Sequence, residues 1–327
     1  MSSVPYSRYL FEPVTWYSFL IMSGAIIALL LACHEERREN LPKDTVIDLA
    51  VVLLPIGIIG ARVYYIIFSW NQFENHFLSV FRIWEGGLAI YGGIIAGLIT
   101  LILFCRNRGL APLKLCDMIA PGLAVAQSIG RWGNWFNIEA YGLKITCPEL
   151  CFFPFAVQVP SDAYSWHLAT FFYESVWNML IFVFLLIARR RLLRRTGDVF
   201  FFYAFLYASG RLVIEELRLD SLYASSSVRV SQLLSVILCL FILVHYIFLC
   251  RKNIFKFPLF RFFICPVASV VFLLILPYAL GYSVLFLPDA AHTVIFLSVC
   301  SLLLILCLFL LYIPFYHREV SNACNES

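Results

Sequence analysis

Nine long apolar runs constrain the fold of this chain more than any other feature of its sequence. A helix that crosses a membrane needs about 20 mostly apolar residues. Soluble domains contain about 25% charged residues, whereas only 13% of these 327 residues are charged. We therefore predict an all-α polytopic integral membrane protein. The predicted spans lie near residues 14–33, 46–70, 86–105, 115–130, 171–188, 198–217, 230–249, 264–287 and 293–316.

The basic residues alternate between the connections that join these spans. The first, third, fifth and seventh spans are followed by three, three, five and four Lys or Arg residues. The N-terminal segment and the connections after the second, fourth and sixth spans contain one, one, two and two. Cytoplasmic loops are enriched in Lys and Arg, so we predict the N-terminus outside and the C-terminus inside. The first run is expected to be a retained helix, because only Arg8 precedes it.

Neither the charge nor the cysteine content of the chain indicates a nucleic-acid partner, a metal or a soluble cofactor. The net charge is +4. The basic residues are distributed among the connections in the way that the predicted topology requires, so we expect no nucleic-acid partner. Most of the eleven cysteines lie in apolar runs, where a thiol packs as a small hydrophobic group. Cys147 and Cys151 lie in a polar loop. They could form a disulfide or remain two free thiols. Neither a metal nor a soluble cofactor is expected.

Polar side chains concentrate on the predicted outward side of the spans. Ionisable residues inside a membrane are costly, so each is a functional candidate. In the sixth span, Tyr207, Arg211, Glu215 and Arg218 are spaced by four, four and three residues, which predicts one shared helix face. The other members of the outward set are Tyr17, Arg62, Tyr91, Arg131, Asn134, Tyr173 and Glu174.

Two interpretations of the arginines remain open from the residues alone. Glu215 could bridge two arginines only to satisfy its own burial. Alternatively, guanidinium groups bind phosphate in a bidentate manner, and in a membrane the nearest phosphates belong to lipid headgroups. We favour an anionic lipid, with Asn134 and Asn137 placed to bind its glycerol hydroxyls.

Several other features have ordinary structural interpretations. Gly93 and Gly97 fit close helix packing, while Trp16, Trp132 and Trp135 are expected to be interfacial aromatics. No G-x-S-x-G or HExxH pattern is present, and His167 is the only histidine that is both outside and near the polar region. A serine–histidine mechanism is therefore not expected.

The stretch GRWGNWFNIEAYG (130–142) resembles the signature of the prolipoprotein diacylglyceryl transferase family. Further segments resemble that family in the same order, and the resemblance covers roughly residues 14–250. These segments are IGARVYYIIFS (59–69), WEGGLAIYGGIIAG (84–97), DMIAPGLAVAQSIG (117–130), TFFYESVWN (170–178), YASGRLVIEELRLDSL (207–222) and RVSQLLS (229–235).

The resemblance implies a seven-span transferase core within residues 1–250. It also implies an enzyme of the bacterial cytoplasmic membrane whose active site lies toward the outer face, among membrane lipids. The implied reaction moves the diacylglyceryl group of phosphatidylglycerol to the lipobox cysteine of a prolipoprotein signal peptide. The products are a thioether and glycerol 1-phosphate. Residues 251–327 add two predicted spans beyond this core.

The resemblance also assigns residues to roles. Arg131, Arg211, Glu215 and Tyr91 are the catalytic candidates. The phosphatidylglycerol-binding candidates are Arg131, Asn134, Asn137, Glu139, Gly142, Tyr17, Tyr207 and Arg218.

The chain departs from the family pattern at two places, and the first concerns the proton acceptor. Many members have histidine where this chain has Tyr91, and WHLAT (166–170) replaces the family's HPT. Glu215 or Tyr91 would then accept the thiol proton. The alternative function is a transporter or lipid-binding scaffold, which predicts a polar path across the membrane, yet the inner halves of the spans are nearly all Leu, Ile, Val and Phe.

Overall fold

The computed structural model describes residues 7–73, 77–82, 86–193, 195–221, 229–250 and 297–312. Within these residues the chain is mostly helical. The helices are α1 (Trp16–Arg38), α2 (Thr45–Phe68), α3 (Ile90–Arg108), α4 (Pro112–Asn137), α5 (Thr170–Arg191), α6 (Asp198–Ile214), α7 (Val230–Cys250) and α8 (Leu297–Tyr312).

Five of the described helices are long and apolar enough to cross a membrane. They are α1, α2, α3, α5 and residues Val230–Leu249 of α7. Helix α4 carries polar residues in its last turns, and α6 and α8 are shorter. The prediction of a helical membrane protein is confirmed at this level. The run predicted at 264–287 lies outside the described residues.

Two helix ends differ from the sequence prediction. Helix α4 continues to Asn137, so most of the 130–142 stretch is helical rather than a loop, because its tryptophans pack against α5. Helix α6 ends at Ile214, and a 3-10 turn follows over Glu215–Leu217. Arg218 is extended, with φ −87° and ψ 143°, and pairs with Gly142 in an antiparallel bridge. The single helix face predicted for the sixth span therefore does not include Arg218.

Two short antiparallel ribbons accompany the helices and were not anticipated by the all-α prediction. Strand β1 (Tyr9–Phe11) pairs with β2 (Val14–Thr15). Strand β3 (Ala156–Val159) pairs with β4 (Ser165–Leu168), in a register that runs from Ala156 opposite Leu168 to Val159 opposite Ser165. In the loop before β3, Cys147 and Cys151 are both free thiols, so the disulfide alternative is not observed.

The chain forms two compact units. The first unit comprises Met1–Ala25 and Leu123–Ser327, and the second comprises Ile26–Gly122. In the first unit, α6 is the most enclosed helix, with twelve of its residues buried. Phe202 and Phe205 of α6 are fully buried, together with Tyr246 of α7 and Leu308 of α8.

The second unit is built around a close crossing of α2 and α3. Gly60 and Gly92 face each other: a Cβ added to Gly92 would lie 2.3 Å from the Gly60 carbonyl oxygen. Small residues let membrane helices approach this closely. Of the two glycines predicted to allow close packing, Gly93 does lie against α2, since a Cβ there would be 3.4 Å from the Gly57 carbonyl oxygen. A Cβ at Gly97 would meet nothing within 4 Å, so Gly97 takes no part in this contact.

We expect Gly92→Ala to destabilise the protein, whereas Gly97→Ala should be neutral or slightly stabilising. The added methyl at Gly92 must displace backbone atoms of α2, and overpacking of this kind costs about 1–3 kcal/mol. Alanine at Gly97 only improves helix propensity. Thermal unfolding of the two purified variants in detergent compares two identical changes on one helix, and equal midpoints would contradict the packing described.

Candidate functional site

Glu174 is the centre of a buried ionic cluster in the first unit, and its side chain is only 4% exposed. Arg131 Nη2 contacts its Oε1 atom. Arg211 Nη1 donates to both carboxylate oxygens, at 3.2 and 3.1 Å. Arg218 Nη1 lies 3.8 Å from Oε2. Guanidinium groups from three segments of the chain thus meet on one carboxylate.

Glu215 contacts the same cluster from α6. Arg211 Nη2 lies 2.6 Å from Glu215 Oε2, which is the expected pairing of residues four apart. The contact is an ion pair that is not aligned as a hydrogen bond, because Oε2 has no aligned donor among the described residues. The alternative in which Glu215 bridges Arg211 and Arg218 is not observed among the ion pairs of the described residues. Arg218 pairs with Glu174 and Asp220.

Asp220 balances Arg218 on the more exposed side of the cluster. Arg218 Nε and Nη2 donate to its two carboxylate oxygens at 2.9 and 2.7 Å. Partial burial raises the pKa of the Asp220 carboxyl, but the hydrogen bonds and positive charge of Arg218 outweigh burial, so this pKa lies below its ordinary value. Arg218 is therefore held in a two-pronged contact.

Arg131 is placed by the contact between α4 and α5. Ser128 Oγ donates to the Ser175 carbonyl at 2.8 Å, and Trp132 Nε1 donates to Ser175 Oγ at 3.1 Å. Ser175 directly follows Glu174 on α5. Because Arg131 lies between Ser128 and Trp132 in sequence, these hydrogen bonds fix its turn of α4 beside the carboxylate.

The tryptophans of the 130–142 stretch pack against other aromatic side chains, and their predicted place at the membrane interface stays a prediction. Trp132 lies edge-on to Trp135 at 6.3 Å and to Phe171 at 5.9 Å. Trp16 stacks on Phe136 at 4.9 Å. The apolar side of α4 thus anchors the helix and leaves its polar side for the cluster.

The turn that carries Glu215 is supported by Arg229, which directly precedes α7, and by Gln232 of α7. Arg229 Nη1 donates to the Glu215 carbonyl oxygen and, at 3.0 Å, to Glu216 Oε2. Gln232 Nε2 donates to the Leu212 carbonyl and to Glu216 Oε2, both at 3.1 Å. These buried bonds support the end of α6 at the cluster.

Gly142 lets the loop after α4 pass between β4 and the turn before Arg218. Its N–H donates to the Leu168 carbonyl at 2.8 Å. A Cβ on Gly142 would lie 2.7 Å from the Leu217 carbonyl oxygen and 2.8 Å from Leu168 Cβ. Any side chain there would push the loop away from Arg218, so its geometry gives Gly142 a positioning role.

His167 fastens the same loop to the ribbon. Its Nδ1 lies 2.9 Å from the Gly142 carbonyl oxygen, and its Nε2 lies 3.0 Å from Asp162 Oδ2. Hydrogen bonds from Ser165, His167 and Lys144 hold the pKa of the Asp162 carboxyl well below its ordinary value. One ring nitrogen of His167 thus contacts the loop after α4, and the other contacts the turn between β3 and β4.

The remaining candidates of the first unit surround the end of α4. The Asn134 carbonyl accepts from the Glu139 N–H at 2.9 Å. Asn137 ends the helix, and its Oδ1 atom is buried without a hydrogen-bond partner among the described residues. Glu139 is exposed and acts electrostatically on Tyr17. Tyr207 lies on α6, one turn before the arginine of the cluster.

Tyr91 and Arg62 belong to the second unit. Tyr91 lies in the first turn of α3, is 36% exposed and has its ring 6.4 Å from that of Tyr64. Arg62 is 7% exposed, and its five N–H groups are all used by backbone carbonyls, so it is not a phosphate ligand. These carbonyls belong to Ser79, Val80, Arg82, Gly86 and Gly87.

Comparison with known proteins identifies the family. The family sequence model for prolipoprotein diacylglyceryl transferase matches residues 8–248. The chain belongs to this family. It is 41% identical over 247 residues to the phosphatidylglycerol–prolipoprotein diacylglyceryl transferase of Lactobacillus gasseri, which covers 74% of this chain and 88% of that protein. The enzyme of the same name from Streptococcus pyogenes serotype M5 is 40% identical over 244 residues, covering 73% and 91%.

The whole ionic cluster lies within the part of the chain that matches the transferase family, whereas α8 lies beyond it. The sequence analysis placed Glu174 on the outward side but not in the site. The available signal was its position as the only acidic residue in TFFYESVWN. Arg229 and Gln232 were also missed, because their contact with the α6 turn depends on tertiary packing.

Among the described residues, no three His, Cys, Asp or Glu side chains form a group that could hold a metal ion.

We expect Asp162→Asn to lower the thermal midpoint near neutral pH. A carboxyl whose pKa is depressed by folding stabilises the folded state above its unfolded pKa of about 4, and this stabilisation is lost as pH falls through the folded pKa. The difference between wild type and variant should therefore shrink below about pH 4. Glu149→Gln, an exposed change in the preceding loop, is the control. A difference that persists unchanged at pH 3 would contradict the assignment.

Proposed function

We propose that this protein transfers the diacylglyceryl group of phosphatidylglycerol to the lipobox cysteine thiol of prolipoproteins. The observation that carries the proposal is the meeting of Arg131, Arg211 and Arg218 on Glu174, inside the segment that defines the family. Guanidinium groups match phosphate oxygens and stay charged at every relevant pH.

Arg131 and Arg211 are the phosphate ligands in this proposal. Their side chains are 21% and 16% exposed, the largest fractions among the three arginines of the cluster. Arg131 contacts Glu174 through Nη2. Glu174 directs both guanidinium groups. Asn134 and Asn137 bind the headgroup glycerol, and Asn137 brings an unpaired buried oxygen to that task.

The reaction is a displacement at carbon three of the diacylglycerol unit. The cysteine sulfur forms the new C–S bond while the C–O bond to phosphate breaks, and glycerol 1-phosphate leaves with the bonding electron pair. Negative charge grows on the departing phosphate, where Arg131 and Arg211 stabilise it. Sulfur reacts as the thiolate, which neighbouring cations also favour.

The thiol proton goes to Glu215 in this mechanism. Glu215 borders the cluster from α6, and its Oε2 atom, although 2.6 Å from Arg211 Nη2, has no aligned hydrogen-bond donor among the described residues. Tyr91 is the second candidate, because it occupies the position of the histidine found in many members. Loss of turnover in Tyr91→Phe with full activity in Glu215→Gln would reverse this assignment.

We further propose the membrane arrangement that the sequence predicts. Helices α4 and α6 join the five apolar helices as spans of a seven-span core within residues 1–250, and residues 251–327 contribute two more. The protein lies in the bacterial cytoplasmic membrane with its N-terminus and the Glu174 cluster toward the outer face. Arg189, Arg190 and Arg191 end α5 on the cytoplasmic side, in accord with the distribution of basic residues.

A mass-shift assay tests the function directly. Purified protein is mixed with phosphatidylglycerol and a lipobox peptide, and a diacylglyceryl-sized gain on the peptide is expected. A peptide without cysteine and an Arg131→Ala variant should give no gain. Transport of lipid in proteoliposomes without any peptide product would instead support the transporter function.

Arg211→Lys should reduce turnover by about a hundredfold although the charge is kept. A lysine ammonium cannot contact both oxygens of Glu174 and also reach Glu215 in the way that the planar guanidinium does. Arg106→Lys, at the exposed end of α3, is the matched control. Wild-type turnover in Arg211→Lys would remove Arg211 from the mechanism.

Glu174→Gln should lower both activity and stability, because it leaves three partly buried guanidinium groups without their shared carboxylate. Removing one partner of a buried ion pair costs about 3–5 kcal/mol. Thermal unfolding and the mass-shift assay are both informative here, with Glu149→Gln as the control. A variant that keeps wild-type stability and turnover would show that Glu174 is not the organising residue.

A further inference from the structure

Helix α8 packs along α6 although it lies outside the part of the chain that matches the family. Its buried residues recur every three or four positions, which gives the helix one continuous packed side. They are Leu297, Cys300, Ser301, Leu304, Cys307, Leu308, Leu311 and Tyr312. The opposite side, with Val299, Leu302 and Leu306, is exposed. Phe309 adds an edge contact with Phe202 of α6 at 5.5 Å.

Two hydrogen bonds join α8 to the two ends of α6. Ser301 Oγ donates to the Ser209 carbonyl at 3.0 Å. Tyr312 donates its hydroxyl to Asp198 Oδ2 at 2.7 Å. The two contact points are separated by the same number of residues on each helix, in reversed order, so the helices run antiparallel and in step over roughly 16 Å.

The contact between Tyr312 and Asp198 involves a buried carboxylate, which needs several hydrogen-bond donors. Asp198 is 2% exposed, and its carboxylate accepts from Tyr246 at 2.8 Å, from Tyr312 at 2.7 Å and from the Arg195 N–H at 3.3 Å. A buried carboxylate needs such donors, because its desolvation is costly. Helix α8 therefore supplies one of the donors that the described residues offer to the buried carboxylate at the start of α6, and the Tyr312 hydroxyl also lies 2.9 Å from the Leu192 carbonyl oxygen.

The contact between Ser301 and Ser209 lies beside the ionic cluster. Ser209 precedes Arg211 by two residues, and its side chain is completely buried. Helix α7 supports the far side of the same helix end through Gln232 and the Leu212 carbonyl. Displacement of α6 at Ser209 would move the Arg211 guanidinium relative to Glu174, which is on a different helix.

We propose that α8 is a built-in brace for α6, in which Ser301 and Tyr312 are positioning residues for Arg211. The proposal rests on the proposed function only for its kinetic readout. Catalytic groups lose much of their effect when displaced, and a misplacement of about 1 Å can cost about a hundredfold in rate. The brace thus gives the extension beyond the family core a task within the transferase reaction.

The test compares Ser301→Ala, Tyr312→Phe and the double variant of the full chain with Leu302→Ala and Tyr164→Phe, two changes at exposed positions. Turnover is measured well below the unfolding midpoint of each protein. The double variant should lose about tenfold in kcat, with KM for phosphatidylglycerol changed less than about twofold. In an Arg211→Lys background the same double change should cost less than about twofold, because the group that it positions is already missing.

A purely stabilising contact would lower the thermal midpoint while kcat stayed at the wild-type value, and that result would overturn the proposal. So would an equal kcat loss in the Arg211→Lys background. Hydrogen exchange provides a readout that needs no activity: amides near the end of α6 should exchange faster in the double variant while those of α2 do not change. If wild type transfers no lipid, the proposed function fails, and unchanged exchange in α6 would refute the brace separately.

Discussion

The site depends on one buried carboxylate that forms ion pairs with three guanidinium groups. Glu174 is on α5, Arg131 is on α4, and Arg211 and Arg218 come from α6 and the segment after it. In a low-dielectric interior each of these charges would be costly alone, so their pairing makes the burial of all of them possible. The same pairing fixes the relative positions of three chain segments, which is what a phosphate-binding geometry requires.

Much of the surrounding structure serves to keep those segments in place. Serines and Trp132 join α4 to α5, while Arg229 and Gln232 support the turn at Glu215. Gly142 allows the loop after α4 to lie against Arg218. Most of these residues contact backbone carbonyls or amides rather than each other's charges. The polar groups near the site are therefore divided between a few that face the proposed lipid and many that hold the backbone.

The sequence allowed the membrane class, most helices and the arginine pair at 131 and 211 to be predicted, because apolar length and helical spacing are local properties. It did not reveal the central role of Glu174, since nothing local tells which of several outward carboxylates lies between the arginines. Arg218 was placed on the α6 face, but a bridge between its backbone and Gly142 ends the helix first. The packing of Trp132 on Phe171 was not predicted, because Phe171 comes from a distant part of the chain.

Arg62 shows that an arginine on an apolar helix need not be available to any ligand. All five of its N–H groups are taken up by carbonyls of the segment that precedes α3. The described part of the connection between α2 and α3 contains two short 3-10 turns, over Trp70–Gln72 and Phe77–Phe81. Its native path therefore depends on a side chain that projects from α2, because loss of the Arg62 guanidinium would leave five backbone carbonyls without this donor.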